Sequence, residues 1–253
     1  MRRFAVSTWS LDGLLQSGLP LLELPAQLAQ HEIRTVEVCH FHLPTTEPEY
    51  VQELRQALET AGVELYSILI DAGDITAPDP RQRDADVKLI KHWITTAAAL
   101  GAERVRIDAG LQPPTPEVIQ LSAEHLGALT QYAASQNRRV STENWHATSR
   151  QPDALLAILD QCEGQVGLCA DTGNAEATAD KYATLTQLFP RASSIHFKPR
   201  YTDSGAIESE DLQRCLDLIQ QTPFDGVITL IYEGKHNEWD GVEQIRQALL
   251  PLV

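Results

Sequence analysis

Positive charge is scarce in this chain. Its 253 residues include 20 Lys and Arg against 35 Asp and Glu, a formal net charge of −15. Nucleic acids and anionic membranes both select for clustered cations, so the composition argues against either partner. Long apolar runs are also missing, and none approaches the length of a bilayer-spanning helix. The opening MRRFAVSTWSLDG has two arginines but no apolar h-region. It does not read as a signal peptide, which makes the cytoplasm the default expectation. Cysteine is sparse: Cys39, Cys162, Cys169 and Cys215 form no CxxC pair. They fall in predicted strands or on apolar helix faces, which predicts buried free thiols. A GxxxxGK phosphate cradle, a linker and a low-complexity tract are all absent.

What is present is a regular alternation. Hydrophobic residues make up 43% of the chain and charged residues 22%, as in ordinary globular proteins. Short β-rich runs at 4–9, 35–39, 64–70, 104–108, 139–143, 166–170, 194–198 and 227–233 are separated by segments of helical period. Tyr50, Leu54, Leu58 and Ala61 form one apolar stripe, and Val87, Ile90, Ile94 and Ala97 form the next. Val118, Leu121, His125, Leu129 and Tyr132 continue the pattern; His125 there reads as a packing histidine. Leu155 with Leu159, Leu185 with Leu188, Leu212 to Ile219, and Val242 to Leu249 complete it. Thr115-Pro116 reads as a helix cap with a first-turn proline, and Asp240 with Glu243 as a capping box. Eight strands alternating with helices predict an α/β fold, a (β/α)8 TIM barrel occupying residues 1–253 as one domain.

Four side chains stand near the ends of four successive predicted strands. They are Glu143 in RVSTENW, Asp171 in VGLCADTGN, His196 in SSIHFKP and Glu233 in VITLIYEG. Strand ends of a parallel barrel converge on one mouth, where active sites lie. Three carboxylates and an imidazole gathered there make a ligand set for a divalent cation, and without one their charge is expensive to bury. The set is harder than a structural zinc site, so Mn2+, Mg2+ or Co2+ is favoured, with Zn2+ as an alternative.

On these residues the chain resembles the xylose isomerase-like TIM barrels. The resemblance rests on Glu143-Asn144, Asp171-Thr172-Gly173-Asn174, His196-Phe197-Lys198 and Glu233, and it spans the whole length. It implies that Glu143, Asp171, His196 and Glu233 bind one metal. Glu37 in TVEVCH and Arg106 in RVRIDAG match a frequent second-strand glutamate and fourth-strand arginine. Two departures concern the substrate: Asn174 stands where some members have a histidine, and Trp145 precedes His146 where many members follow Glu-Asn with histidine directly.

The chemistry expected of such a site is proton transfer next to a carbonyl. Glu143 and Glu233 would act as base and acid on a small polyhydroxy carbonyl substrate, giving isomerisation or epimerisation of a sugar, ketose or cyclitol. Lys198 should share the face of His196 and serve the same reaction. Trp9, His42, Arg106, Trp145, Asn174 and Arg200 are the candidates for holding substrate, with Lys235 a further cation. His40 and His42 suit either hydroxyl contacts or a second metal, and Asp71 either a cap or a substrate contact. The competing readings are a dehydratase of the inosose or dehydroshikimate type, an apurinic endonuclease, which the acidic balance disfavours, and a barrel that binds ligand without catalysis. Oligomeric state is open.

Overall fold

The computed structural model describes residues 2–252. Eight parallel strands close in chain order: β1 (Arg3–Ser7), β2 (Thr35–Cys39), β3 (Glu64–Ile70), β4 (Arg104–Ile107), β5 (Arg139–Glu143), β6 (Val166–Asp171), β7 (Ala192–Phe197) and β8 (Val227–Leu230). Around them run α1 (Asp12–Gln16), α2 (Leu24–Gln30), α3 (Pro48–Ala61), α4 (Pro80–Leu100), α5 (Pro116–Ala134), α6 (His146–Ser149), α7 (Pro152–Gln161), α8 (Lys181–Leu188), α9 (Ser209–Gln220) and α10 (Glu238–Leu249). The predicted (β/α)8 barrel is therefore the observed fold.

Side chains alternate along each strand, and the alternation decides what faces where. Val36 and Val38, Val105 and Ile107, Leu168 and Ala170, and Ile195 and Phe197 join helix residues such as Leu54, Ile94, Leu126, Ile158 and Ile219 in one buried apolar cluster. The intervening positions turn inward and are polar: Glu37, Arg104, Arg106, Ser141, Glu143, Asp171 and His196 are all buried. Lower in the barrel, the Arg104 guanidinium lies 4.5 Å from the centre of the Tyr66 ring.

Each apolar stripe falls within a helix of the structure. Thr115 caps α5, its side chain accepting from the Val118 amide, with Pro116 in the first turn. The predicted capping box of α10 is displaced. Asn237 is the cap and accepts from the Asp240 amide, so the helix starts about one turn earlier. α2 has no counterpart in the stripes, because at seven residues it is too short to show a period.

β8 ends sooner than its apolar run, which continues to Glu233. Past Leu230 the chain leaves the ladder: the Ile231 amide donates to the Phe197 carbonyl and the Tyr232 amide to Ser10 Oγ. Glu233 thus stands on a loop beyond the strand. Register shifts interrupt the pairing at Val36/Glu37 and at Leu168/Cys169. Such bulges re-aim side chains beside functional sites, and these two precede Glu37 and Asp171.

Candidate active site

The mouth of the barrel holds a cavity of about 220 Å³. β5, β6 and β7 deliver its buried end. Asp171 and His196 are partners in the β6–β7 register, and Glu143 is the last residue of β5. His196 Nδ1 lies 3.6 Å from Glu143 Oε1 and 3.8 Å from Asp171 Oδ2, beyond ordinary hydrogen-bond reach of either. Its other nitrogen, Nε2, pairs with Glu37 Oε2 at 2.8 Å. Glu37 thereby fixes the ring with Nδ1 toward the carboxylates, the arrangement by which a carboxylate orients a metal-ligating histidine.

Each carboxylate is held by named neighbours. Asn144 clamps the ends of β5 and β6, since its amide exchanges hydrogen bonds with the Asp171 carbonyl and amide at 2.9 and 2.7 Å. The Asn174 amide donates to Asp171 Oδ1 at 2.6 Å, and Asn174 Nδ2 donates to Glu143 Oε1 at 2.8 Å. Arg106 Nε approaches Glu143 Oε2 at 3.1 Å, while its Nη1 donates to Asp71 and to Asp108.

Glu233 stands apart from this trio. Its Oε1 accepts from Trp9 Nε1 at 2.8 Å and from Lys198 Nζ at 3.0 Å, and Lys198 is 3.9 Å from Asp171 Oδ2. The four expected ligands therefore line one cavity, but Glu233 is joined to the others through an ammonium rather than packed against them. Gly173 makes room for that ammonium's stem: a Cβ at this position would collide with the Lys198 side chain.

Burial and charge set the protonation states. Burial raises the Glu143 acid, but His196 and Arg106 outweigh it and hold Glu143 at about 2. Burial pushes Asp171 up to about 6, with Lys198 opposing and Glu143 adding to the rise. Burial disfavours a charged His196, yet Cys169, Glu37 and Glu143 together raise it well above the usual imidazole range. The cavity wall carries Asp71, Glu143, Asp171 and Glu233 against the permanent cations Arg106 and Lys198. An excess of carboxylates around one imidazole fits a divalent cation by charge and by donor chemistry. Among the described residues, Glu143, Cys169 and His196 also place ligand atoms within 4.8 Å of one another. Burial keeps the Cys169 thiol protonated, and it does not line the cavity, so the carboxylates are the better donors.

Trp9, Arg106, Trp145, Asn174 and Lys198 line the cavity. His42 and Arg200, also expected to hold substrate, are not in that lining. The His42 ring nitrogens are taken by Thr8 Oγ1 at 2.8 Å and Asp12 Oδ1 at 2.9 Å. Arg200 is bound by Glu176, on the loop after β6. His40 Nδ1 accepts from the Asp71 amide, and Lys235 is exposed outside the cavity. His146 follows Trp145 at a left-handed φ of 51°, stacks on it, and turns Nε2 toward Asp108 Oδ2 at 3.5 Å. His125 sits half-buried on α5, away from the cavity lining. All four cysteines are buried and free. Sequence reasoning gave Glu37 no site role, and Ser7, Cys39, Leu69 and Ile231 in the wall went unnoticed. A lone glutamate inside the apolar run TVEVC was the available signal for the first; the others have none.

The profile of a family described as xylose isomerase-like TIM barrel matches residues 25–250. Among curated proteins, none matches the sequence. Solved structures with the same fold include an L-ribulose 3-epimerase, 13% identical, covering 100% of this chain and 94% of that one with a TM-score of 0.77. A D-tagatose 3-epimerase-like protein is 18% identical over 99% and 98% of the two chains, with a TM-score of 0.75. A xylose isomerase-like TIM barrel protein from Mycobacterium smegmatis, solved in complex with magnesium, is 16% identical over 97% and 95%, with a TM-score of 0.70.

Proposed function

This chain belongs to the xylose isomerase-like TIM barrel family, and from that premise we propose that it is a divalent-metal-dependent isomerase or epimerase of a small sugar, ketose or cyclitol. The observation that carries this reading is the meeting of Glu143, Asp171 and His196, all buried, with His196 Nδ1 3.6 and 3.8 Å from the two carboxylates. Those three and Glu233 would hold the ion. When bound, it supplies Lewis-acid stabilisation of the negative charge that develops on a substrate carbonyl oxygen. Magnesium in the mycobacterial relative and the epimerase names of the other two support the same reading.

The protein's own groups divide the remaining work. Trp9 and Trp145 give the cavity aromatic walls, and Asn174, Arg106 and Lys198 present donors to hydroxyl oxygens. Glu233 sits on the open side, with Lys198 beside it. It takes a proton from the carbon next to the carbonyl, and Glu143, at the end of β5, returns one that it has first accepted from solvent. Return to the opposite face of the same carbon is epimerisation; return to the neighbouring carbon is isomerisation. The test is metal analysis of protein purified without chelator, then a screen of ketoses, inososes and their phosphates for solvent-deuterium incorporation. The expected result is about one divalent ion per chain and exchange into at least one substrate. Protein that binds no ion and exchanges none overturns the reading.

A further inference from the structure

At the rim of the cavity two large aromatic side chains stay exposed together. Trp9 is 44% and Phe41 46% exposed, and their rings meet edge to face with centroids 6.2 Å apart. Single exposed apolar residues need no explanation, but an adjacent pair on the rim of a site does. The two residues follow β1 and β2 directly, so both belong to the same mouth, and Trp9 also lines the cavity. Neither ring is loose. Trp9 Nε1 is bound to Glu233, and Phe41 packs on the rings of His40 and His42 at 5.4 and 4.6 Å. His42 is in turn pinned between Thr8 and Asp12. The pair forms a rigid apolar ledge continuous with the inner cavity.

The cavity itself holds about 220 Å³. That is below the roughly 300–1,000 Å³ of pockets that enclose drug-sized ligands, so it takes a single sugar unit and little more. The charged groups tied into the ledge are the carboxylates of Asp12 and of Glu233, the latter already paired with Lys198, which favours an uncharged group over a phosphate or a carboxylate there. We propose that the ledge is a subsite for a second, uncharged ring. The substrate is then a ketose bearing a glycosyl group, with its keto-sugar unit in the cavity and the second ring across Trp9 and Phe41. The C–H face of a sugar ring packs on aromatic surfaces of this kind. This inference rests on the isomerase or epimerase reading and adds the substrate class to it.

Solvent-deuterium incorporation into D-fructose, isomaltulose and lactulose separates the two. Isomaltulose and lactulose are ketoses that carry a glucosyl and a galactosyl ring and keep a free carbonyl. At least one of them should react with a kcat/KM about tenfold above that of fructose, the gain of one good aromatic contact. Phe41→Ala, which touches none of the reacting groups, should remove that advantage and leave fructose unchanged; unchanged fructose turnover also shows that the variant folds. If fructose exchanges but neither disaccharide does better, or if Phe41→Ala alters neither, the subsite is refuted and the isomerase reading stands. Exchange into none of the three overturns the subsite, and the wider screen then decides the isomerase reading separately. Sedimentation showing a dimer that Phe41→Ala dissociates would assign the ledge to a second copy of the chain and refute the subsite.

Discussion

Glu233 and Glu143 are the same residue type in opposite surroundings. The Glu233 side chain is 41% exposed beside Lys198, whereas that of Glu143 is 4% exposed and held by Arg106 and Asn174. Glu233 is the freer of the two to change partners, which suits the group that takes the first proton. Glu233→Gln keeps an oxygen donor but removes the basic carboxylate. Turnover should fall by roughly 10²–10⁴-fold, and solvent-deuterium exchange should fall with it, while the ion is retained at somewhat lower affinity. Exchange at the wild-type rate with the ion in place would make Glu233 a ligand alone. Lys198→Ala should leave the ion in place and weaken substrate binding or turnover.

The loops that follow β6 and β7 carry Asn174 and Lys198, and an ion cluster built on the buried Lys181–Asp211 pair joins them. Lys181 Nζ, at the start of α8, lies 2.5 Å from Asp211 of α9 and 2.7 Å from Glu176 of the β6 loop. Glu176 also binds Arg200 of the β7 loop, and Tyr182 Oη donates to Asp211 at 2.9 Å. Removing one member of a buried pair leaves its partner's charge unmatched, which costs more than the pair is worth. Lys181→Met should therefore lower unfolding free energy by about 3–5 kcal/mol in urea titrations, and adding Asp211→Leu should recover part of the loss. A change below about 1 kcal/mol would show that solvent reaches the cluster. None of this was legible beforehand: Lys181 and Asp211 are 30 residues apart, and each alone reads as a surface charge on a helix.

At the scale of the whole molecule, the acidic mouth should make stability depend on cations. Chelator-treated protein should unfold at a higher temperature when Mn2+, Mg2+ or Co2+ is added, with a gain of about 4 kcal/mol at a thousand times Kd. These ions should support turnover at least as well as Zn2+; activity restored by zinc alone would reverse that order. The effect should also depend on pH. With His196 raised well above the imidazole range and Asp171 pushed up to about 6, protons compete with the ion at both, and apparent affinity should fall as pH falls, by at least tenfold per unit below 6. In the metal-free protein unfolded Asp171 loses its proton near 3.8 and folded Asp171 near 6, so Asp171 makes stability fall as pH rises between those values. Asp171→Asn should abolish both the cation shift and that slope, as thermal melts across pH 4–7 would show.

The barrel and the order Glu143, Asp171, His196, Glu233 were readable from sequence because both depend on local periods. Apolar residues at intervals of 3.6 and 2 mark helices and strands, and parallel strands bring their ends to one mouth whatever the details. Partnership across the barrel leaves no such trace. His196 meets Glu37 from 159 residues away, His42 is claimed by Thr8 and Asp12, and Arg106 gathers three carboxylates from the ends of β3, β4 and β5. Glu233 was placed on a strand because its apolar run continues, yet the ladder stops at Leu230, where Phe197 and Ser10 offer the next hydrogen bonds. A local pattern states which face a side chain takes. Only the closed barrel, by setting strand register and loop path, decides which distant group it finds there.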